Sequence, residues 1–210
     1  MKRWIQSFAG KQVFLAALRP EQVSLEDIPL ALSRKIRFSG MTQGDLGYSV
    51  AQHCVIGSYL IAPPFALAFL LHEAGEVYLP DIPSPLKPML EIADAEGSGC
   101  TRSWHDLESD HADAILTALG LYSIRPLLDA PEVKEMDLAM LAWEKREMMG
   151  PEPEPWNLTV PPPVGAGAIE PWPEAVARRD WLRRFHELTG TGPFARGTEA
   201  FKVLPSDAVW

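Results

Sequence analysis

Six side chains of this sequence have the types and spacing to hold a cation or move a proton: His53, His72, Glu73, Glu76, Asp81 and Asp137. The densest group falls in the stretch FLLHEAGEVYLPDIPSPLKPM, from Phe69 to Met89. At about 100° per residue, His72, Glu73 and Glu76 share one arc of a helix whose other side carries Leu70, Leu71, Ala74 and Val77. An imidazole and two carboxylates on one turn suit a divalent cation or acid–base chemistry. Pro80, Pro83 and Pro85 remove backbone donors and fix φ, so the helix is expected to stop before them and leave Asp81 at the mouth of a rigid loop.

Other predicted helices must bring the remaining groups to this turn. Ser49 with Gln52 three places later forms a capping-box pattern, so a helix is expected to start at Val50. Its apolar stripe runs through Val50, Cys54, Gly57 and Ile61, and His53 lies on that stripe, where it is either a partnered core histidine or a ligand. Pro131 and Glu132 open another helix with Val133, Met136, Met140 and Trp143 inward. Asp137 faces the same way, and a buried carboxylate without a partner costs several kcal/mol, so a cation of some kind is expected to meet it.

The remaining segments frame these three helices. Val13 to Ala17 reads as a short β element, and Ser24 with Asp27 as a second capping box for a helix continuing to Ile36. Arg34, Lys35 and Arg37 crowd the end of that helix, where cations suit its dipole or could bind phosphate. Residues 91–103 read as a surface loop, and Trp104 to Leu119 as a helix ended by Gly120 with His111 half exposed. Eight prolines between Gly150 and Pro173 indicate an extended arm anchored by Trp156, Val160, Ile169 and Trp172. A last helix spans Glu174 to Leu188, with His186 expected to be exposed, and Phe194, Phe201 and Trp210 stand in the tail.

Composition narrows the class. The 210 residues are 47% hydrophobic, without an apolar run of the roughly 18 residues that a membrane span needs. A formal charge of −9 argues against polymeric nucleic acid or an anionic membrane as partner. Cys54 and Cys100 are too few for a disulfide framework, and no signal-peptide pattern follows the start, so a cytoplasmic location is expected.

His53, the His72–Glu73 pair and Asp137 could therefore close around one divalent cation from three helices. In this order, with IRFSG, YSVAQH, LLHEAGEVYLPDIPSPLK and VKEMD, the chain resembles the HD-domain phosphohydrolases across residues 24–149. It is most similar to the bacterial 5′-deoxynucleotidases and related small bacterial and phage HD proteins. The resemblance implies an all-α HD bundle, assigned to residues 1–149, while the residue patterns indicate the short N-terminal β element, a proline-rich wrapping segment at 150–173 and a C-terminal helix and tail at 174–210. It implies His53, His72, Glu73 and Asp137 as ligands of one Mn, Co, Zn or Mg ion, and Glu76 and Asp81 as catalytic acids. Arg37, Phe38, Lys87 and Lys134 fall at substrate-binding positions, Arg37 for phosphate and Phe38 near the sugar.

The implied activity is hydrolysis of deoxynucleoside 5′-monophosphates to nucleoside and phosphate, with release of triphosphate or pyrophosphate from purine dNTPs as the alternative. One residue departs from the pattern, since the second motif position is Asp in the family and Glu73 here. A nucleotide-binding module with weak turnover is the further alternative that this change opens. A two-iron oxygenase would need more inward histidines than His105 and His111 supply. Related enzymes pair into dimers or larger rings, and a homo-oligomer is expected here as well.

Overall fold

The computed structural model describes residues 4–93 and 101–191, and these residues are mostly helical. Two short antiparallel strand pairs accompany the helices: β1 (Ile5–Gln6) with β2 (Gln12–Val13), and β3 (Glu91–Ala93) with β4 (Thr101–Ser103). The helices are α1 (Asp27–Arg34), α2 (Val50–Leu60), α3 (Ala66–Leu71), α4 (Trp104–Ala118), α5 (Arg125–Leu128), α6 (Pro131–Met148) and α7 (Glu174–Thr189). None is long and apolar enough to cross a membrane.

The centre of the bundle is the crossing of α2 and α3. Gly57 makes that approach possible, because a Cβ there would stand 2.0 Å from Phe69 Cε1. Helix α7 covers α1, α2 and α3 and buries Ala177, Trp181 and Phe185, the last two with stacked rings 5.5 Å apart. On the other side, α6 packs on α2 and buries Val133, Met140 and Trp143. The proline-rich segment is laid over this body and hydrogen-bonded to it. Gln52 Nε2 donates to the Glu170 carbonyl at 2.8 Å, Gln52 Oε1 accepts from the Trp172 amide at 2.8 Å, and Trp143 Nε1 donates to the Gly167 carbonyl at 2.7 Å.

Several expectations are corrected. Helix α1 starts at Asp27 because Pro29 fits only the first turn of a helix. The Asp27 side chain does not reach back to Ser24; its carboxylate accepts from the Ala9 amide at 2.9 Å and the Tyr78 hydroxyl at 2.8 Å. The helix also ends early, at Arg34: Lys35 and Ile36 are extended, with Ile36 bridged to Ser49 ahead of α2, and Arg37 opens a 3₁₀ turn that runs to Gly40. The β-like run is paired only at Gln12–Val13. Part of the loop expected at 91–103 is the β3–β4 pair, in which Leu90 and Ile92 alternate toward Leu79, Trp104 and Leu107. His186 is half-buried. Cys100 and the tail aromatics Phe194, Phe201 and Trp210 lie outside the described residues.

His111 is fully buried, on the same face of α4 as Leu107, Ala114 and Ile115. Its Nε2 donates to the Leu15 carbonyl at 2.7 Å, while Nδ1 is buried with no hydrogen-bond partner. Burial holds the pKa of His111 below its ordinary 6.5, against the pull of the Leu15 carbonyl.

Two outcomes follow from this packing. Gly57→Ala should cost about 1–3 kcal/mol in urea unfolding, because the added methyl must displace the Phe69 ring. Below about pH 6.5 the unfolded chain takes up a proton at His111 that the folded chain refuses. The contribution of His111 is therefore complete above that pH and is lost as pH drops toward the lower value of the folded state. Unfolding free energies from pH 8 to 5 should thus fall less steeply in His111→Gln than in the wild type.

Candidate metal centre

Two histidines define the site, and each is oriented by a hydrogen bond on its far side. Ser49 caps α2 by accepting from the Gln52 amide at 3.2 Å, and one position further on His53 enters the core with no exposed surface. His53 Nδ1 stands 2.6 Å from Oε1 of Glu144, which is equally buried. His72 follows the last residue of α3, and its Nδ1 stands 2.6 Å from the Phe69 carbonyl. Both partners are acceptors, so each Nδ1 carries a proton and each Nε2 is the atom turned toward the site.

Those two Nε2 atoms face each other at 3.3 Å. Asp137 Oδ1 lies 3.2 Å from the first and 3.8 Å from the second. Glu73 Oε1 lies 3.5 Å from His72 Nε2, and His53, His72 and Glu73 offer donor atoms within 4.8 Å of one another. Donors about 2.1 Å from a shared cation stand roughly 3.0–3.4 Å apart at right or tetrahedral angles, so the set could hold one divalent metal ion. Glu73 reaches the group despite its extra methylene.

Electrostatics agrees with a centre built for positive charge. Burial would lower the pKa of His72, but Glu73 and Asp137 outweigh it and hold the ring well above the ordinary value. Burial would raise Asp137, but hydrogen bonds from His53 and His72 hold it well below the usual carboxylate range. Its Oδ1 is cut off from solvent although the side chain is 40% exposed, so one face of the carboxylate is committed inward.

Arg37 closes one edge. Lys35 and Ile36 are extended and Arg37 opens a 3₁₀ turn: the Arg37 amide donates to the Tyr48 carbonyl and the Val50 amide to the Lys35 carbonyl, each at 2.9 Å. Ile36 packs over Gly47, while its sequence neighbours Lys35 and Arg37 reach Glu76 and Glu144. Arg37 Nε donates to Glu144 Oε2 at 2.9 Å, while Nη1 and Nη2 stand 3.5 Å from Glu73 and 4.0 Å from Asp137. Burial would lower its pKa, but Glu144, Asp137 and Glu73 hold it above the ordinary arginine value. Lys35 Nζ donates to the carbonyls of Glu76 and Val77, and burial lowers its pKa to about 8.

The turn carrying Glu76 is tighter than the sequence periodicity implies. Helix α3 stops at Leu71, and Ala74–Glu76 form a 3₁₀ turn. Gly75 presses against α4 there, and a Cβ on it would stand 2.5 Å from the Glu108 carbonyl. Residues three apart eclipse in a 3₁₀ turn, so Glu73 and Glu76 remain neighbours. Burial, followed by the charge of Glu73, raises the Glu76 pKa to about 7 even though Lys87 opposes it. Burial and Glu73 also raise Asp81. Lys87 is an ion-pair bridge, with Nζ 2.8 Å from Glu76 and 2.9 Å from Glu108. A cleft of about 170 Å³ opens here, lined by His72, Glu73, Glu76, Lys87, Glu108 and Arg125 among others.

The structure therefore gathers His53, His72, Glu73, Asp137 and Arg37 in one place, with Glu76 beside them and Asp81 close enough to feel their charge. Phe38 adjoins Arg37, its ring 5.8 Å from the guanidinium. Lys134 stays outside: its side chain is 64% exposed, and its Nζ lies 3.9 Å from Asp129. Glu144 is the residue that sequence reasoning missed. Its signal was a spacing of seven from Asp137, which places both carboxylates on one face of α6.

Similar proteins cover most of the chain. YfdR of Escherichia coli, an uncharacterized protein, is 34% identical over 145 residues, 69% of this chain and 72% of YfdR. An uncharacterized protein of Rhodobacter capsulatus is 28% identical over 158 residues, 71% of this chain and 76% of that protein. No family model matches the chain.

Glu144→Gln keeps the shape of the side chain but removes the charge that orients His53. Calorimetric titration with Mn²⁺ or Zn²⁺ should show metal affinity about 10–100-fold weaker than in the wild type. The exposed Glu132→Gln on the same helix should leave affinity unchanged.

Proposed function

The chain belongs to the YfdR family, and we propose that it is a metal-dependent phosphohydrolase of the HD type that removes phosphate from deoxynucleoside 5′-monophosphates. The observation that carries this reading is the pair of facing imidazole Nε2 atoms with two carboxylates around them and a half-buried arginine at their edge. The order of the groups along the chain supports the HD assignment, with His53 on α2, His72 and Glu73 directly after α3 and Asp137 on α6. The nucleotide as substrate rests on the resemblance of the surrounding motifs.

A divalent cation held by His53, His72, Glu73 and Asp137 would supply Lewis acidity and neutralise phosphoryl charge. Arg37 has its Nε held by Glu144, and its two Nη groups, in longer contacts with Glu73 and Asp137, would turn their planar fork to a phosphoryl oxygen once the cation takes those carboxylates. Glu76, with a pKa near neutrality, takes the proton of the attacking water. Asp81, raised from its ordinary value, gives a proton to the departing 5′-oxygen. The bond from phosphorus to the water oxygen forms as the bond to the 5′-oxygen breaks, and the protons end on Glu76 and the nucleoside hydroxyl.

Chromatography after incubation with deoxynucleoside mono- and triphosphates and Mn²⁺, Co²⁺, Zn²⁺ or Mg²⁺ tests the reading. Nucleoside and phosphate should appear from monophosphates and vanish with a chelator. Glu76→Gln and Asp81→Asn should each lower kcat by about 10²-fold or more with metal still bound. Triphosphate or pyrophosphate release would move the activity to dNTPs. Silence from the metal-loaded wild type, with turnover restored in Glu73→Asp, would leave a nucleotide binder.

A further inference from the structure

The proline-rich arm brings an aromatic side chain to the rim of the site. Trp156 stands with its ring centroid 6.3 Å from that of Phe38, and the guanidinium of Arg37 lies 5.8 Å from the same Phe38 ring. Arg37 and Trp156 are therefore both neighbours of one phenyl ring, and Arg37 also reaches the metal ligands. The indole is held in place rather than loosely attached. Glu152 accepts from the Trp156 amide at 3.3 Å and pairs with Lys145 of α6, whose ammonium lies 5.6 Å from the indole centroid. Even so, Trp156 remains 40% exposed.

The backbone around the pair is unusual. Phe38 (φ 57°), Ser39 (φ 52°) and Asn157 (φ 53°) are the non-glycine residues with positive φ among the described ones, and all three are in or beside this aromatic pair. Side chains with a Cβ rarely adopt that region, and such strain concentrates where a ligand must be met. The Phe38 and Trp156 rings are tilted by 49° and too close for a third ring between them, so a planar ligand meets the outer surface of Trp156.

We propose that Trp156 is the platform on which the base of the nucleotide stacks, with the sugar over Phe38 and the phosphate at Arg37. This inference rests on the nucleotide reading above and assigns the arm a role in substrate selection. Stacking on an indole is strong and tolerant of base identity, so the arm separates nucleotides from base-free sugar phosphates and accepts every base.

Calorimetric binding of dAMP and of 2-deoxyribose 5-phosphate, each with Mn²⁺ present, tests it on the full chain. The wild type should bind dAMP more tightly. Trp156→Ala should weaken dAMP binding by about 5- to 150-fold and leave deoxyribose 5-phosphate unchanged, and Trp156→Phe should restore part of the loss. In turnover, Trp156→Ala should raise KM for the nucleotide with kcat retained. Equal loss for both ligands, or none, overturns the stacking role while the phosphohydrolase reading stands. Failure of the metal-loaded wild type to bind either ligand overturns both.

Discussion

Two imidazoles whose Nε2 atoms face each other at 3.3 Å are the constraint on which the rest depends. Ring nitrogens this close need a proton or a cation between them, and the bundle must also fix the rings from behind. The fixing groups are Glu144 for His53 and the Phe69 carbonyl for His72. The first makes α6 indispensable to α2, and the second ties His72 to the last turn of α3. Phe69 links the two, because its ring fills the space over Gly57 and also touches both imidazoles, with centroids 5.5 and 4.5 Å away.

Burying so many carboxylates is possible because each has a cationic or hydrogen-bonding counterpart. Arg37 serves Glu144, Glu73 and Asp137 at once, and Lys87 serves Glu76 and Glu108. Both cations stand at the first position of a short 3₁₀ turn, Arg37–Gly40 and Lys87–Met89. Lys35 performs the matching task for the backbone, satisfying the carbonyls of Glu76 and Val77 at the end of the 3₁₀ turn. The proline-rich segment completes this frame by using Gln52, the residue that sequence reasoning paired with Ser49, to bind Glu170 and Trp172.

What the sequence determined by itself is the set of helices and the side chains that meet. Apolar periodicity located α2, α4, α6 and α7 nearly to the residue, because each has a clear cap or stop: Ser49, Gly120, Pro131 and Gly190. His53 and Asp137 were legible as inward groups because each falls on an apolar stripe. Only the tertiary structure decided the rest. Glu144 could not be told from a solvated helix charge until α6 lay against His53. Lys35 and Arg37 suited a helix end, but α1 stops at Arg34, Lys35 and Ile36 are extended beside the bridge to Ser49, and Arg37 starts a separate 3₁₀ turn. Glu76 was placed on an α-helical arc, whereas contact with α4 at Gly75 turns the chain into a tighter helix. The physical reason is common to these cases: periodicity reports which face of an element is apolar, and it carries no information about which distant group desolvates or charges the polar residues on it.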